Sequence, residues 1–188
     1  MTDPLHVRST GVNEALVLPL PAAAKRTGIA IEELYRSSRE DVYAYVATLL
    51  RDRSAAEEVT ALAFERAYRK RQSFRRERGT ERAWLFGIAR NAALDELRRR
   101  KRLAPLLSEP GEPAPDHGEG AEQALRRAAV RSALESLSRR DRELIALKFH
   151  AGLGNAEIAR VLRISETHAG TMLHRAIERL RKACHEAA

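Results

Sequence analysis

The sequence contains little of what disulfide-bonded, metal-dependent or membrane proteins need. Cys184 is the only cysteine among the 188 residues, which excludes an internal disulfide and a cysteine-based metal cluster. The six histidines are scattered without a metal-ligand spacing such as HExxH, and no glycine-rich phosphate loop follows a strand pattern. We therefore expect neither a metal nor another cofactor, and we expect the protein not to be an enzyme.

Long apolar stretches are also missing. No run reaches the roughly 18 apolar residues that a membrane-spanning helix requires. The apolar stretch 15–24 is interrupted by Pro19 and Pro21 and has no basic segment before it, so it predicts neither a signal peptide nor an anchor. We expect no insertion into a membrane.

Aromatic residues make up only 5% of the chain, whereas alanine, leucine, arginine and glutamate dominate it. These four residue types favour helix, so the composition predicts an all-α fold. Basic residues exceed acidic ones by a formal charge of +8, and the pI is about 10.2. An excess of this size indicates a partner that is nucleic acid or an acidic membrane surface.

Changes in composition divide the chain into four segments. Residues 1–28 mix proline, glycine and threonine and predict a flexible N-terminal extension. Residues 29–103 show three helical patterns with short connections, which is typical of a compact bundle. Residues 104–123 combine proline, glycine and acidic residues without lysine or arginine, and predict a flexible linker. Residues 124–188 then form a second small helical domain.

Capping residues mark the helices of the first domain. A first helix covers 31–50, where apolar residues recur at helical spacing. Ser54 opens a second helix that runs to about Arg71, because Glu57 three residues later completes a capping-box pattern. Thr80 is the predicted N-cap of a third helix, since its hydroxyl can accept a hydrogen bond from a backbone N–H of the first turn.

The third helix carries two apolar faces and one narrow polar strip. One face consists of Trp84, Leu85, Ile88 and Ala92, and the nearly opposite face of Phe86, Ala93 and Leu97. A helix that is apolar on two sides is usually wedged between other helices. The strip between the faces consists of Gly87, Asn91, Asp95 and Arg98. It is either a functional surface or a polar seam in which Asp95 pairs with Arg98 or Arg99.

Basic residues cluster on both sides of this helix. Between residues 66 and 78, seven basic side chains are interleaved with Tyr68 and Phe74. Arginine with aromatic residues suits single-stranded DNA, through phosphate contact and base stacking. The helix then runs into five consecutive basic residues at 98–102. The alternative for such a run is an ordinary solvated face.

The second domain has the pattern of a helix-turn-helix. Helices are predicted at 125–137, at 139–150 after the N-cap Ser138, at 155–162 with Asn155 as cap, and from the cap Ser165 to about Cys184. In a helix-turn-helix the last helix lies in the major groove. Residues that could contact DNA from there are Ser165, Thr167, His168, Thr171, His174, Arg175, Arg179 and Arg181. The alternative is an amphipathic helix with a solvated polar face.

Two blocks of sequence resemble one protein family. WLFGIARNAALDELRRRKR resembles the region 2.3–2.4 segment of bacterial sigma-70-type factors of the extracytoplasmic-function (group 4) class. AGLGNAEIARVLRISETHAGTMLHRAIERLRK resembles the region 4.2 segment of the same class. The resemblance covers Ile29–Arg102 and about Leu125–Lys182, in the order and at the spacing of the family.

The resemblance implies a cytoplasmic RNA polymerase sigma factor that directs promoter-specific initiation without nucleotide hydrolysis. The first domain would bind the −10 promoter element and the clamp helices of the polymerase β′ subunit. The second domain would bind the −35 element and the β-flap, and the linker would thread toward the RNA exit channel. Family members are often held by an anti-sigma protein, so the expected partners are core RNA polymerase, promoter DNA and an anti-sigma protein.

The resemblance also implies the roles of individual residues. Asn91 matches the asparagine that faces an extruded −10 base, and 75–80 matches the loop that shapes the pocket for that base. The implied −10 contacts are Arg75, Arg76, Arg78, Thr80, Asn91, Asp95, Arg98 and Arg99. The implied −35 contacts are Ser165, Thr167, His168, Thr171, His174, Arg175 and Arg179. The implied β′ contacts are Glu57, Glu58, Ala61 and Leu62.

Three departures from the family pattern lead to separate expectations. The β′-contacting helix commonly reads DAEDLVQEVF and here reads AAEEVTALAF, so Ala61 and Leu62 replace a Gln-Glu pair. The recognition helix has Gly170-Thr171-Met172 where the family often has Lys-Ser-Arg, which predicts weaker or differently read −35 contact. Arg163 replaces the usual glycine of the turn, so a positive φ at this position would strain it.

Two further functions are compatible with the same residues. A stand-alone helix-turn-helix regulator would bind duplex DNA as a dimer without polymerase. An interaction protein would use its exposed apolar faces to bind an inhibitory partner most of the time, which could equally be one state of a sigma factor.

Overall fold

The computed structural model describes residues 29–103 and 121–186. Within these ranges the chain forms seven α-helices and two short 3-10 turns, at Arg71–Ser73 and Arg76–Arg78, and contains no strand. The helices are α1 (Ile31–Leu50), α2 (Arg53–Lys70), α3 (Glu81–Leu103), α4 (Ala121–Ser136), α5 (Arg139–Phe149), α6 (Asn155–Leu162) and α7 (Glu166–Glu186). The prediction of an all-α fold is confirmed. The predicted extension 1–28 and residues 104–120 of the predicted linker lie outside the described residues.

None of the helices in the described ranges is long and apolar enough to span a membrane.

Helices α1, α2 and α3 pack on one another and form the first module. Their core includes Val42, Tyr45 and Val46 of α1 and Leu85 and Phe86 of α3, all fully buried. The rings of Tyr45 and Phe86 meet edge to face with 5.4 Å between their centroids, an arrangement that aromatic pairs favour. Burial on both sides explains why α3 has two apolar faces.

The N-cap of α2 was predicted wrongly. Asp52, not Ser54, caps the helix, because its carboxylate accepts a 2.9 Å hydrogen bond from the Ala55 N–H. The carboxylate also forms an ion pair with Arg100 of α3, with 2.9 Å between Oδ2 of Asp52 and Nη2 of Arg100. Ser54, which lies inside the helix, could not make this contact. The expected capping box at Ser54 and Glu57 is therefore absent.

The predicted start of α3 is confirmed. The Thr80 hydroxyl accepts a 3.2 Å hydrogen bond from the Ala83 N–H, and the Thr80 carbonyl accepts one from Trp84 N. The preceding Gly79 has φ +134°, in a region that residues with a side chain avoid. Glycine therefore allows the chain to turn sharply out of the 3-10 segment and into α3.

Helices α4 to α7 form the second module, and two of its three predicted caps are confirmed. Ser138 and Ser165 accept bonds from Asp141 N and His168 N at 3.1 and 3.2 Å. Asn155 is not a cap but the first residue of α6, and Gly154 precedes it as N-cap. The Glu157 side chain accepts a 3.0 Å hydrogen bond from the Gly154 N–H, which is the half of a capping box that the third helical residue supplies.

The turn of the helix-turn-helix contains the backbone conformation that the sequence indicated. Arg163, directly after α6, has φ +59° and ψ +48°, in the left-handed region. Its N–H returns to the carbonyl oxygen of Arg160 at 3.3 Å, and the N–H of Ile164 to Ala159 at 3.0 Å. These bonds satisfy carbonyls at the end of α6, as in a glycine-terminated helix. The positive φ that was the condition for strain at Arg163 is therefore present.

The two modules contact each other, which the sequence did not indicate. Helix α1 packs against α5, and α3 packs against α6. The buried apolar residues of both modules form one continuous cluster, which extends from Phe86 of α3 to Leu147 of α5 and Ile158 of α6. The division of the chain into four segments remains a prediction, since most of the linker lies outside the described residues.

Candidate nucleic-acid interface

The helix-turn-helix presents one polar face of α7 to solvent. Ile158 and Leu162 of α6 are buried with Ala169 and Leu173 of α7, so α6 fixes the orientation of α7. The remaining face carries the residues predicted to contact the −35 element. All of them are exposed: Ser165, Thr167, His168, Thr171, His174, Arg175 and Arg179.

Three of these side chains already have partners. The Ser165 hydroxyl caps α7, and the Thr171 hydroxyl donates to the Thr167 carbonyl oxygen at 3.0 Å. Arg179 donates to the buried carboxylate of Asp141 on α5 at 2.8 Å. Hydroxyl groups can still accept from DNA while they hold these bonds.

Gly170 lies within this face, where α7 passes close to the start of α6. A β-carbon at Gly170 would lie 3.2 Å from Nδ2 of Asn155, which is closer than an ordinary van der Waals contact. A glycine inside a helix lowers the stability of that helix relative to alanine. The structure shows that it also leaves room for the Asn155 amide.

The polar strip of α3 is open to solvent in the first module. Asn91, Asp95 and Arg98 are exposed, and no atom lies within 4 Å of the β-carbon position at Gly87. Asp95 accepts from Arg98 Nη1 and from Arg66 Nη1, each at 3.2 Å. The polar seam considered as an alternative is therefore present at Asp95, which pairs with Arg66 and Arg98. The exposed Asn91 does not take part in these pairs.

The end of α3 combines its basic residues with two carboxylates. Arg99 and Arg100 donate to Glu96 at 2.7 Å each, and Arg100 also reaches Asp52. The hydrogen bond from Arg99 lowers the pKa of Glu96, as do the bond from Arg100 and the charges of both arginines, against the effect of burial. Arg99 therefore pairs with Glu96 rather than with Asp95. Arg99 keeps 56% of its side chain exposed, whereas the side chains of Arg100 and Glu96 are 35% and 12% exposed.

The aromatic residues of the basic run have different environments. Phe74 is buried and meets Trp84 edge to face, with 5.7 Å between ring centroids. It therefore cannot stack on a base, and its inclusion in a stacking surface was wrong. Tyr68 is 53% exposed, and the guanidinium of Arg71 lies 4.1 Å from its ring centroid.

The sequence did not single out a second exposed aromatic residue near this run, Tyr35. Tyr35 of α1 is 46% exposed and lines the same open groove as Tyr68. Its ring meets Phe64 edge to face at 4.8 Å. Tyr35 lies within the helical pattern 31–50, and of its features in the sequence only the hydroxyl suggested that the tip of the side chain reaches water.

The loop between α2 and α3 is held by its own arginines. Arg75 Nη1 donates to the carbonyl oxygen of Gln72 at 2.9 Å and to that of Phe74 at 3.0 Å. Arg76 pairs with Glu81 at 3.3 Å. Arg75, Arg76, Arg78 and Thr80 are all solvent-accessible, so the loop presents guanidinium groups at the start of α3.

The predicted β′ surface lies on α2. Glu57, Glu58 and Ala61 are exposed and Leu62 is half-buried, with Glu57 accepting from Arg53 at 3.3 Å. Glu57, Glu58 and Ala61 point away from the core, whereas Leu62 packs partly against it. In the described parts of the chain, no group of three or more acidic, histidine or cysteine side chains is placed to hold a metal ion.

An all-helical pair of modules with a helix-turn-helix and a basic, arginine-lined loop defines a class of two-module DNA-binding proteins. Comparison with known families is consistent with this class. Sigma-70 region 2 matches residues 34–103, and sigma-70 region 4 matches residues 127–180.

Curated relatives and a solved structure extend this match. The chain is 30% identical to ECF RNA polymerase sigma factor SigK of Mycobacterium sp. strain KMS, over 85% of this chain and 84% of the relative. It is 29% identical to SigL of Mycobacterium tuberculosis, over 87% of this chain and 94% of the relative. Its fold resembles that of the sigma factor RpoE from Bartonella quintana, solved with the anti-sigma factor NepR, with a TM-score of 0.66, 21% identity and coverage of 81% and 94% of the two chains. The chain therefore belongs to the ECF RNA polymerase sigma factors of the sigma-70 family.

Proposed function

We propose that this sigma factor directs core RNA polymerase to one class of promoters, using the first module at the −10 element and the second module at the −35 element. The observation that carries the proposal is the exposed strip of α3, where Asn91 stands beside open space at Gly87. A side-chain amide that lies free on this strip, between two arginine clusters, suits hydrogen bonding to the edge of an unpaired base.

In the first module, an unpaired base would leave the duplex and bind beside Asn91. Extruding a base costs a few kcal/mol, and a side-chain amide can offset part of this by hydrogen bonds to one base edge. The loop residues Arg75, Arg76, Arg78 and Thr80, and Asp95, Arg98 and Arg99 of α3, would surround the strand. Tyr68 and Arg71 add a face on which a base can stack.

In the second module, α7 would enter the major groove at the −35 element. Thr167, His168, Thr171 and His174 would face base edges, while Arg175 and Arg179 would reach phosphates. Arg179 would have to exchange its bond with Asp141 for a phosphate. Gly170 and Met172 add no positive charge to this face, so weaker or differently read −35 contact remains our prediction.

The remaining surfaces would bind proteins. Glu57, Glu58, Ala61 and Leu62 on α2 would contact the β′ clamp helices, and the second module would contact the β-flap. The match to a sigma factor solved with its anti-sigma factor supports regulation by such a partner here. We propose that the chain acts in the cytoplasm and has no catalytic activity of its own, since initiation needs binding and strand opening alone.

Run-off transcription with core RNA polymerase and a random promoter library tests this function. We expect transcripts from templates that share one −10 and one −35 sequence, and none from polymerase alone. A protein that shifted a duplex probe at moderate salt but never produced a transcript with polymerase would be a stand-alone regulator.

A further inference from the structure

A groove on the first module lies between α1 and α2, and the residues that line it belong to these two helices. One half is lined by Ile31 and Tyr68, and the other half by Tyr43 and Phe64. Tyr35 lines both halves, so they form one continuous groove. From its first to its last lining residue on α1, the groove follows the helix for about 18 Å.

Two tyrosine rings in the groove are exposed to solvent and are held in position. Tyr35 packs edge to face on Phe64, with 4.8 Å between the ring centroids. The guanidinium of Arg71 lies over the ring of Tyr68. Rings that are fixed before binding lose little conformational freedom when a ligand covers them. The groove is therefore a preformed aromatic surface.

The charges along the groove are mixed. Glu32 and Glu40 line it together with Arg36 and Arg39, and all four side chains are exposed. Surfaces that bind a single DNA strand are predominantly positive, because each nucleotide brings a negative phosphate. The two carboxylates therefore disfavour DNA in the groove and favour a peptide that carries both apolar and basic side chains. Among the lining residues, Tyr68 also belongs to the proposed DNA-binding face.

The segment that precedes α1 has this composition. Residues 15–24 read ALVLPLPAAA and are followed by Lys25 and Arg26. Proline-containing apolar segments bind grooves lined by aromatic side chains, because the fixed φ of proline reduces the entropy lost on binding. Pro19 and Pro21 supply the rings for such a contact. The two basic residues supply charges opposite to those of the carboxylates in the groove.

The connection between this segment and α1 is long enough for the contact. Ile29 is buried in the core of the first module, and Ile31 lines the near end of the groove. The roughly ten residues from Pro21 to Ile31 span at most about 33 Å when extended. This reach exceeds the groove length of about 18 Å, so the segment can return along the whole groove.

We propose that residues 15–24 bind in the α1–α2 groove of the same chain, with the two prolines against Tyr35 and the basic residues 25–26 beside Glu32 and Glu40. Burial of the leucine and valine side chains of the segment drives the contact, because it removes their apolar surface from water. The charged pairs at the rim determine the direction in which the segment lies.

The bound segment would also affect polymerase binding. The half of the groove next to Tyr43 contains Glu57 and Ala61, which the proposed function assigns to the β′ clamp helices. The segment and β′ therefore compete for part of one surface. The apparent affinity for polymerase falls with the fraction of molecules in which the segment is bound. This competition rests on the proposed function, whereas the contact itself does not.

Photo-cross-linking of the full chain tests the contact. Tyr35→p-benzoylphenylalanine places a photoreactive ketone in the groove, and Phe149→p-benzoylphenylalanine places the same group at an exposed position of α5 as the control. We expect the label at position 35 to capture the tryptic peptide 9–25 of the same chain, at a yield at least about fivefold above that from position 149. Equal yields from the two positions would overturn the proposal. Capture of a second copy of the chain, or of an added single DNA strand, in place of this peptide would also overturn it.

Two pairs of substitutions distinguish the segment from the rest of the N-terminal region. Leu18→Ser with Leu20→Ser removes two apolar side chains from the segment, and Leu5→Ser with Val7→Ser makes a similar change outside it. In the chain labelled at Tyr35, we expect the first pair to lower the cross-link yield by about tenfold. The second pair should leave the yield unchanged. Equal yields from the two pairs would contradict the proposal.

Titration of the unlabelled chain with core polymerase tests the competition. Leu18→Ser with Leu20→Ser should lower the half-saturating polymerase concentration by about threefold, whereas Leu5→Ser with Val7→Ser should not change it. An unchanged value for both pairs would reject the competition with β′. If the unsubstituted chain did not bind polymerase at all, the proposed function would have failed, and the cross-link would still decide the contact.

Discussion

Single side chains determine where the helices begin and how the turn is closed. Asp52 stabilises α2 by two bonds that sequence patterns do not reveal together, one to its own helix and one to Arg100 of α3. Ser54 fits the sequence pattern of an N-cap as well as Asp52 does, but in the structure it lies inside the helix. A local pattern cannot distinguish two neighbouring caps when the deciding contact comes from a residue far along the chain.

The cap at Asp52 gives a prediction about stability and pH. Asp52→Ala should lower the free energy of unfolding by about 1 kcal/mol at pH 7, whereas Ser54→Ala should have almost no effect. The hydrogen bond from Ala55 N, followed by that from Arg100, lowers the pKa of Asp52 against the effect of burial. Its charge therefore stabilises the fold above the ordinary aspartate pKa of about 4, and this stabilisation is lost as the pH falls through the lowered folded value.

Urea unfolding of both variants from pH 7 to pH 3 measures this effect. The difference between wild type and Asp52→Ala should shrink below about pH 4. A difference that stays constant over this range, or a larger effect from Ser54→Ala, would show that Asp52 is not the cap.

Arg163 gives the second prediction at this scale. Its φ of +59° costs an ordinary residue about 1 kcal/mol relative to glycine. Arg163→Gly should therefore be more stable than Arg163→Ala, which keeps the strain while it removes the same exposed side chain. Thermal unfolding of the two variants decides the point, and an alanine variant that is at least as stable as the glycine variant would contradict it.

At the scale of helices, the sequence predicted most elements because periodicity and caps agree. The two apolar faces of α3 identified which of its sides are buried. Thr80, Ser138 and Ser165 identified three helix starts. The sequence failed where a distant element decides, as with the buried Phe74, which packs on Trp84 rather than facing DNA. Basic and aromatic composition alone does not reveal which ring is covered.

The close approach of α6 and α7 leads to a prediction about Gly170. Alanine in place of a mid-helix glycine gains about 1 kcal/mol in helix propensity, but here a β-carbon would press on Asn155. Gly170→Ala should thus stabilise the protein more in an Asn155→Ala background than in the wild type. A double-mutant cycle measured by urea unfolding gives the coupling, and additive effects would contradict the steric explanation.

The basic end of α3 gives a prediction about salt. Arg98→Ala combined with Lys101→Ala should weaken holoenzyme binding to all promoters alike, because duplex phosphates carry no sequence information. The slope of log affinity against log salt should become shallower by about one unit per lost phosphate contact. Titrations of two different promoters over a range of salt measure this, and a loss confined to one promoter would indicate base contact instead.

At the scale of the whole molecule, the two modules and their order follow from the sequence, but their mutual contact does not. Arg82, Arg90, Glu143 and Glu157 read as ordinary charged positions on amphipathic helices, and nothing in their spacing indicates partners in the other module. Contacts across a long connection carry no periodic signal. The structure therefore reveals an interface that the sequence does not indicate. In that interface the loop 75–80 contacts the helix-turn-helix.

Strand opening at the −10 element is the central step of the proposed function, and permanganate reactivity of unpaired thymines measures it directly. With core polymerase and a promoter from the transcription library, wild-type protein should make −10 thymines reactive. Asn91→Ala should abolish that reactivity while it binds polymerase as tightly as wild type. Equal loss of reactivity and of polymerase binding would mean that Asn91 serves folding, and full reactivity with Asn91→Ala would contradict the role of the α3 strip.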